Sequence, residues 1–219
     1  MGKHKTILFI ALFSFFLCLS CGHVKKNYHS NGLPESEISY KYGKLNGKSV
    51  WYYQHGKKSL EISYKNGLKE GELIRYFRNG KIESIDNYKD DTLHGSSFKY
   101  YENGNLLSES SYKNGKKDGL IKHYFSDGSL FFTGQYSEDQ YDGNWQYFDE
   151  DGFKTGEGDF VKGTGILIAY DNKGNTIKKV HYINSVVYKE ENYSKENYSL
   201  EKTLLYKNGR IVNIDNHTN

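Results

Sequence analysis

The chain has 219 residues with 21 Tyr, 23 Gly and a single Pro, and its formal net charge is +3. This small charge excludes the strong basic field that nucleic-acid binding needs. A mean hydropathy of −0.80 argues against a large oily core, whereas an aromatic content of 16% argues against disorder. The composition therefore indicates a β structure that is rich in Tyr and divided by glycines.

The first 20 residues are predicted to be a lipoprotein signal peptide. Lys3 and Lys5 form a basic start, and residues 7–19 form an apolar run that is too short to span a bilayer comfortably. Residues 17–22, LCLSCG, resemble a bacterial lipobox, in which a small residue precedes a cysteine that is acylated. Cys21 is thus the predicted lipidation site, for acyl chains such as palmitate. Ordinary signal cleavage and an uncleaved anchor are the alternatives.

Cleavage before Cys21 leaves a mature chain with no free thiol, because Cys18 lies in the signal. Disulfides and cysteine catalysis are then excluded. The mature charge falls to +1, from 28 Lys plus Arg against 27 Asp plus Glu. The expected location is the cell envelope, lipid-anchored in the inner or outer membrane. Residues 21–38, which are polar and contain Pro34, are predicted to be a tether.

Residues 39–185 show a repeat of 24 residues, which predicts one supersecondary unit per period. The first glycine series is Gly47, Gly71, Gly95, Gly119 and Gly143, and the second is Gly56, Gly80, Gly104, Gly128 and Gly152. An aromatic series is Tyr40, Tyr64, Tyr88, Tyr112, Tyr136 and Phe160. The register then loses two residues and resumes at Gly165 and Gly174.

Each period is predicted to be a β-hairpin. Residues 49–54 and 60–64 are rich in β-branched and aromatic residues and show near alternation of apolar and polar positions. Asn79-Gly80, Asn103-Gly104 and Asp127-Gly128 are dipeptides typical of type I′ turns. All twelve glycines above are predicted to be structural turn glycines. The predicted fold is all-β, an elongated antiparallel meander of about six to seven hairpins in an open twisted sheet.

One aromatic position recurs five residues after each glycine that opens a repeat, and it is predicted to form a ladder on one face of the sheet. Its members are Tyr52, Tyr76, Tyr100, Tyr124, Phe148 and Tyr170. The favoured interpretation is cross-strand packing. The alternative is a binding site, because exposed rings in a row can stack on sugars or receive a partner strand.

Residues 186–219 are predicted to be a degenerate capping repeat and tail. Residues 186–201 contain no glycine and carry many charges, as expected for a terminal repeat. The last nine residues either add a final edge strand or fray.

No constellation with the pattern of a catalytic or metal site stands out. The histidines His23, His29, His55, His94, His123, His181 and His217 lack zinc-site spacing. The acidic run 149–152 lies where each repeat has a turn, and the glycines between 156 and 165 lack the context of a phosphate loop. The sequence predicts that the chain is not an enzyme and has no cofactor and no metal.

The pattern G-x-x-x-x-Y-[YF]-x-x-G-K followed by Y-K-N-G-K-x-x-G resembles the MORN-repeat variant of bacterial YwqK-type proteins. The resemblance covers about residues 40–182 and is strongest in residues 47–128. It implies an elongated sheet of hairpins used for protein or lipid contact, with no catalytic residue to carry over. Such proteins are often catalogued as the antitoxin component of a toxin–antitoxin system.

Three functions remain open at this stage. The first is a lipid-tethered scaffold at the bacterial envelope that binds another protein through a face or edge of its sheet. The second is a glycan-binding or cell-wall-binding module, for which Trp51 and Trp145 are the strongest stacking residues. The third is an antitoxin or immunity-like protein that neutralises a toxin partner. The predicted partners are thus the membrane, through the lipid, and another protein, with a glycan as the alternative and no nucleic acid.

Overall fold

The computed structural model describes residues 22–217. The predicted signal peptide and the lipidation site Cys21 lie outside this range. The described residues are all-β and contain no helix. A segment able to cross a membrane as a helix is likewise not found in them. They divide into two compact units, here called unit 1 (residues 22–92) and unit 2 (residues 93–217).

Eighteen strands are present in residues 22–217. In unit 1 they are β1 (His23–Tyr28), β2 (Pro34–Lys41), β3 (Lys44–Leu45), β4 (Gly47–Tyr52), β5 (Lys58–Lys65), β6 (Leu68–Tyr76) and β7 (Ile82–Lys89). β8 (Thr92–Tyr100) begins at the last residue of unit 1, and unit 2 continues with β9 (Leu106–Lys113), β10 (Lys116–Tyr124), β11 (Leu130–Ser137), β12 (Gln140–Phe148) and β13 (Lys154–Val161). The last strands are β14 (Thr164–Tyr170), β15 (Thr176–Ile183), β16 (Val186–Tyr193), β17 (Leu200–Lys207) and β18 (Arg210–Asn216).

Within each unit the strands pair antiparallel with their neighbours in chain order. In unit 1, β1 pairs with β2, β2 with β3 and β4, and the order continues through β7. In unit 2, the pairing runs without a break from β8 to β18. The predicted fold class, an all-β meander of antiparallel hairpins in an open sheet, is confirmed.

The segment predicted to be a tether is residues 21–38, and its described part, from Gly22, instead contains β1 and the first five residues of β2. Its turn resembles those of the repeats, because the His29 N–H donates to the Leu33 carbonyl over 2.9 Å, as the Tyr53 N–H donates to the Lys57 carbonyl over 2.8 Å. Gly32 lies 24 residues before Gly56, and both have positive φ, at 81° and 86°. The repeat therefore begins earlier than the sequence analysis placed it.

Two kinds of hairpin turn alternate along the chain, and the type I′ turns lie at the other end of the hairpins from where they were predicted. At the predicted positions only the glycine has positive φ, as in Gly80 and Gly104, at 90° and 101°. Since the Gly80 N–H donates to the Phe77 carbonyl over 2.8 Å, this is a type I turn followed by a left-handed glycine. Both central residues are left-handed in the opposite turns, such as Asn66 and Gly67, at 54° and 95°.

The first glycine series does not lie in turns. Gly71 is inside β6 and Gly119 is inside β10, with φ of 92° and 104°, where the register of pairing with the preceding strand shifts. Gly47, Gly95 and Gly143 are likewise strand residues with positive φ. These are the glycines of β-bulges, which need the left-handed conformation. Gly165 lies in β14 without positive φ, so it is neither a turn glycine nor one of these bulge glycines.

Successive type I′ turns within a unit are joined by hydrogen bonds. In unit 1 the Gly67 N–H donates to the Leu45 carbonyl over 2.8 Å, and the Asn66 N–H donates to Asn46 Oδ1 over 3.2 Å. In unit 2 the Gly115 N–H donates to the Leu93 carbonyl over 2.8 Å. These bonds satisfy turn N–H groups, and they link each repeat to the next.

The two units bury different side chains. In unit 1 the buried apolar residues are Ile62 and Leu73, accompanied by the fully buried Ser49. In unit 2 the buried apolar residues are Ile121, Trp145 and Phe160, and further half-buried rings pack around them. The surrounding aromatic residues are Phe132, Tyr136, Tyr141, Tyr147 and Tyr182.

Candidate binding face

The six ladder positions are structurally equivalent. Each is the last paired residue of its strand and follows a shift in register, as where Tyr52 pairs with Lys58 in unit 1 and Tyr124 pairs with Leu130 in unit 2. The other pairs are Tyr76 with Ile82, Tyr100 with Leu106, Phe148 with Lys154, and Tyr170 with Thr176. The structure thus gives every member of the series the same backbone setting.

Two further tyrosines occupy the same setting and were missed by the sequence analysis. Tyr28 pairs with Pro34 at the end of β1, and Tyr193 pairs with Leu200 at the end of β16. A signal for the first was available, because Tyr28 lies 24 residues before Tyr52. Tyr193 lies 23 residues after Tyr170, one residue short of the period, so a search at a fixed spacing of 24 misses it.

The ladder rings do not stack on one another. Consecutive members lie two strands apart, about 9.5 Å, which exceeds the roughly 4.5–7 Å of ring contacts. Ring pairs of the described residues include none between members of this series. The strands between the rings place other side chains in the row. In unit 2 these include Leu106, which pairs with Tyr100, and Leu130, which pairs with Tyr124. The ladder is therefore a row in which rings alternate with aliphatic or long side chains.

All six predicted ladder residues are half-buried. The side chains pack sideways against the residues between them while part of each stays accessible to solvent. The added member Tyr28 is more exposed, at 59%. An accessible, regularly spaced row of rings is a surface that can contact a ligand.

Several ladder hydroxyls bond to carboxylates that lie closer to the middle of the sheet. The Tyr170 hydroxyl donates to Glu157 Oε1 over 2.7 Å. Glu157 lies on the preceding strand, β13, where it pairs with Ile168, two residues before Tyr170. In unit 1 the Tyr52 hydroxyl donates to Glu37 Oε2 over 3.3 Å. A tyrosine that reaches this diagonal position lies along the sheet surface rather than standing upright from it.

These contacts perturb the ionisation of both partners. Hydrogen bonds from Lys154 and then from Tyr170 lower the pKa of the Glu157 carboxyl. The hydrogen bond to Glu157, followed by burial, raises the pKa of Tyr170. Lys154 Nζ lies 2.7 Å from Glu157 Oε2. The carboxylate is thus ionised at neutral pH and fixes the orientation of the ring.

A row of polar residues runs beside the ladder in unit 2 and is here called the polar row. Its members are consecutive cross-strand partners on β9 to β13, namely Glu109, Lys122, Thr133, Gln146 and Glu157. The corresponding row of unit 1 is less polar, since Val50 and Ile74 flank the buried Glu61. In unit 2 the row is polar from β9 to β13, and Phe98 on β8 and Ile168 on β14 flank it.

The opposite face of unit 2 is closed by its own packing. Trp145 is 2% exposed, so it is not available to stack on a sugar, as one hypothesis had required. Burial, followed by the neighbouring Tyr141, raises the pKa of Tyr136 to about 12. Trp51, in unit 1, is half-buried. The rings of this face are core, and the ladder face remains the candidate binding surface.

The acidic run and the clustered glycines of the sequence form neither a metal centre nor a phosphate loop within the described residues. Residues 22–217 contain no group of three or more His, Cys, Asp or Glu residues that could hold an ion. The acidic run 149–152 is a turn in which Asp149 Oδ1 accepts from the Phe153 N–H over 2.8 Å. Gly156, Gly158 and Gly165 lie within β13 and β14.

Three consecutive segments of the chain match the MORN repeat variant, at residues 45–66, 69–90 and 93–114. MORN repeats are generally modules that bind proteins or membranes. Residues before 45 and after 114 lie outside the match. No curated protein sequence matches the chain.

Several solved structures resemble parts of the chain weakly. One is TarM, at 15% identity over 59% of this chain and 20% of TarM, with a TM-score of 0.26. Another is the TcdB2-TccC3 complex, at 11% identity over 87% of this chain and 14% of that one, with a TM-score of 0.19. A mutant of Staphylococcus aureus TarM in complex with Fondaparinux, alpha-GlcNAc-glycerol and UDP gives 12% identity, coverage of 96% and 24%, and a TM-score of 0.12. The chain spans less than a quarter of each of these proteins.

Proposed function

We propose that this chain is a non-enzymatic repeat scaffold, anchored by lipid to the bacterial cell envelope, which binds another protein through the free edge of β18. The observation that carries the proposal is the exposure of this strand. All seven residues of β18, Arg210–Asn216, are exposed. The repeats matched in residues 45–114 support a scaffold that acts by contact rather than by catalysis.

The edge of β18 has only some of the features that usually prevent strand addition, namely the charges of Arg210 and Asp215 and a register shift at Val212. β18 pairs with β17 on one side, and no other strand of residues 22–217 pairs with it. Ile211, Val212 and Ile214 are 49%, 60% and 48% exposed, and the strand contains neither lysine nor proline. Natural edge strands are commonly protected by such residues, by bulges or by a covering element. The edge therefore suits an extended partner segment with apolar side chains, added as a further strand.

The edge is tested by site-specific photo-crosslinking in envelope preparations. A crosslinker at Val212 is expected to capture a discrete protein partner. In a second variant the crosslinker is placed at Asn213 and Val212 is replaced with Lys. This Val212→Lys change is expected to abolish the capture. Val161→Lys is the matched control, because Val161 is also an exposed strand valine of unit 2, at 72%. Equal capture by the edge variant and by the control would contradict binding at β18.

The anchor is proposed to hold unit 1 close to the bilayer. β1 begins at His23, two residues after Cys21, so acyl chains on Cys21 leave little length between membrane and sheet. His23 pairs with Tyr40, which places the following turn at the same end of the hairpin. Tyr42 in this turn is 65% exposed, and Lys41 Nζ lies 5.4 Å from the centre of its ring. Tyrosine and lysine are residues that favour the membrane interface.

Replacing Cys21 with Ala is expected to abolish metabolic labelling with palmitate and to release the protein from the membrane fraction. Cys18→Ala is the control, since Cys18 lies in the predicted signal. Labelling that persists in Cys21→Ala would contradict the lipid anchor and leave the proposal for β18 to be judged separately.

A further inference from the structure

We propose that the ladder face of unit 2 binds a linear β-1,4-linked glycan along the row Tyr100, Tyr124, Phe148 and Tyr170. This site goes beyond the protein contact proposed for β18 and does not depend on it. The two surfaces are separate parts of unit 2, because the ladder residues end β8, β10, β12 and β14, whereas the edge is β18.

The spacing of the rings selects an extended ligand with a matching repeat. Successive rings lie two strands apart, and their registers are equivalent in all four strands. Two strand spacings amount to about 9.5 Å, which is close to the length of one disaccharide in a β-1,4-linked glycan. A glycan laid across the strands therefore meets one ring per disaccharide over the four members. A partner β-strand would not show this match, because its side chains on one face recur at about 6.6 Å.

The orientation of the rings suits stacking on sugars. The bond from the Tyr170 hydroxyl to Glu157 holds that ring along the sheet surface, where it is half-buried. The Tyr193 hydroxyl is held in a comparable way by Glu191 Oε2 at 3.1 Å. Pyranose rings present C–H groups on their faces, and these pack on aromatic faces by dispersion and by attraction to the ring quadrupole.

The polar row supplies the other half of a sugar site. Glu109, Thr133, Gln146 and Glu157 carry acceptors, and Lys122, Thr133 and Gln146 carry donors, all beside the ladder. Sugar hydroxyls both donate and accept, so a mixed row can bond along the edge of the glycan. The row has two carboxylates, one ammonium group and two neutral side chains rather than being uniformly basic, which favours a glycan without dense negative charge.

The proposal commits to a glycan rather than to a peptide because two independent features repeat together. Rings recur at the disaccharide length, and hydrogen-bonding side chains of both kinds recur beside them. A hydrophobic peptide would need neither a regular ring spacing nor the row from Glu109 to Glu157.

The test uses the full chain in mild detergent, titrated calorimetrically with chitohexaose and cellohexaose, with maltohexaose as an α-linked control. At least one β-1,4 hexaose is expected to bind, about four- to a hundredfold more tightly than its disaccharide, because it contacts about two more rings and each ring contributes about a two- to tenfold gain. Binding by neither β-1,4 hexaose, or equal binding of maltohexaose, would overturn the proposal.

Variants identify the ladder as the site. Phe148→Ala is expected to weaken hexaose binding about three- to tenfold, whereas Phe148→Trp is expected to preserve or strengthen it. Tyr188→Ala is the matched control, because Tyr188 is an exposed ring of β16 outside the ladder, at 39%.

Should Phe148→Ala unfold, Phe148→Leu keeps apolar bulk without an aromatic face and is expected to lose binding with an unchanged circular dichroism spectrum. Unchanged hexaose binding by Phe148→Leu contradicts a glycan site. A Phe148 variant that keeps hexaose binding and loses the protein crosslink at β18 contradicts it as well. Val212→Lys is expected to bind hexaose normally, which separates failure here from failure of the protein-binding proposal.

Discussion

Units 1 and 2 repeat the same hairpin with the same two turn types, yet they bury different material. At buried positions of the same face, unit 1 places Ser36, Ser49, Ile62, Leu73 and Ser84, whereas unit 2 begins with Ser97 and then places Ile121 and Trp145. Because unit 1 buries small residues at several of these positions, each neighbouring strand can also contribute a short side chain of similar size. Unit 2 instead balances a very large ring against glycines. The repeat is thus defined by its backbone and turns, and its buried face can be filled in more than one way.

The glycine beneath Trp145 shows how unit 2 accommodates the ring. A Cβ at Gly134 would lie 2.2 Å from Trp145 Cδ2, a distance that no packing allows. Gly158, the direct cross-strand partner of Trp145, is also tightly enclosed, since a Cβ there would lie 2.7 Å from the Ile166 carbonyl oxygen. One large side chain is therefore matched with backbone alone on both neighbouring strands, which keeps the density of the core near that of other proteins.

The largest expected effect is the loss of this ring. Trp145→Ala is expected to destabilise unit 2 by about 3–5 kcal/mol, because it removes a buried ring and leaves a cavity. Hydrogen exchange should lose protection in residues 116–182 and change little in residues 36–76, since units of a repeat array can open separately. Equal loss in both ranges would break the comparison between the units.

Adding a single methyl group at Gly134 is expected to be nearly as harmful. Gly134 is not among the glycines with positive φ, so Gly134→Ala acts through the clash with Trp145 and not through backbone strain. The expected cost is about 2–3 kcal/mol in urea unfolding. Thr133→Ala, the neighbour on the opposite face, is the control. The double variant Gly134→Ala with Trp145→Ala should cost less than the sum of the single variants, and strict additivity would contradict the contact.

The shared turns should respond alike in the two units. Gly56 and Gly128 hold equivalent turn positions, with φ of 86° and 99°. Gly56→Ala and Gly128→Ala are each expected to cost about 1 kcal/mol, because an added side chain is strained at positive φ. Thermal unfolding of both variants measures this loss of stability. Gln54→Ala, which keeps the turn glycine, is the control. A large difference between the two glycine variants would show that the turns are not interchangeable.

The stability of unit 1 is expected to depend on acid pH through its buried carboxylate, Glu61. Burial by itself would raise the pKa of Glu61, but Lys58 and Lys48 lower it below its ordinary value of 4.5. Because the folded pKa is depressed, the stabilisation is complete above the ordinary value and is lost as the pH falls through the lowered one. Glu61→Gln should remove this acid dependence from hydrogen exchange in unit 1, an effect of about 1 kcal/mol or less. An unchanged pH profile would contradict the pairing.

The sequence by itself determined the repeat, the strand order and the class of the fold. Glycines and rings that recur every 24 residues mark hairpins, and hairpins of one length place equivalent residues on one face. The six predicted ladder residues therefore share one setting. The same logic would have found the first hairpin, because Asn31-Gly32 and Tyr28 continue both series, but a polar composition made residues 21–38 look like a tether.

Only the tertiary structure decided the conformation of each glycine and the use of each ring. A glycine in a sequence shows that positive φ is available but not whether a turn or a bulge uses it, so Gly71 and Gly119 were assigned to turns. The choice between Tyr124 in an accessible row and Trp145 in a closed core likewise depends on what neighbouring strands place beside each ring. That is fixed by cross-strand register and side-chain volume, which a period in the sequence does not contain.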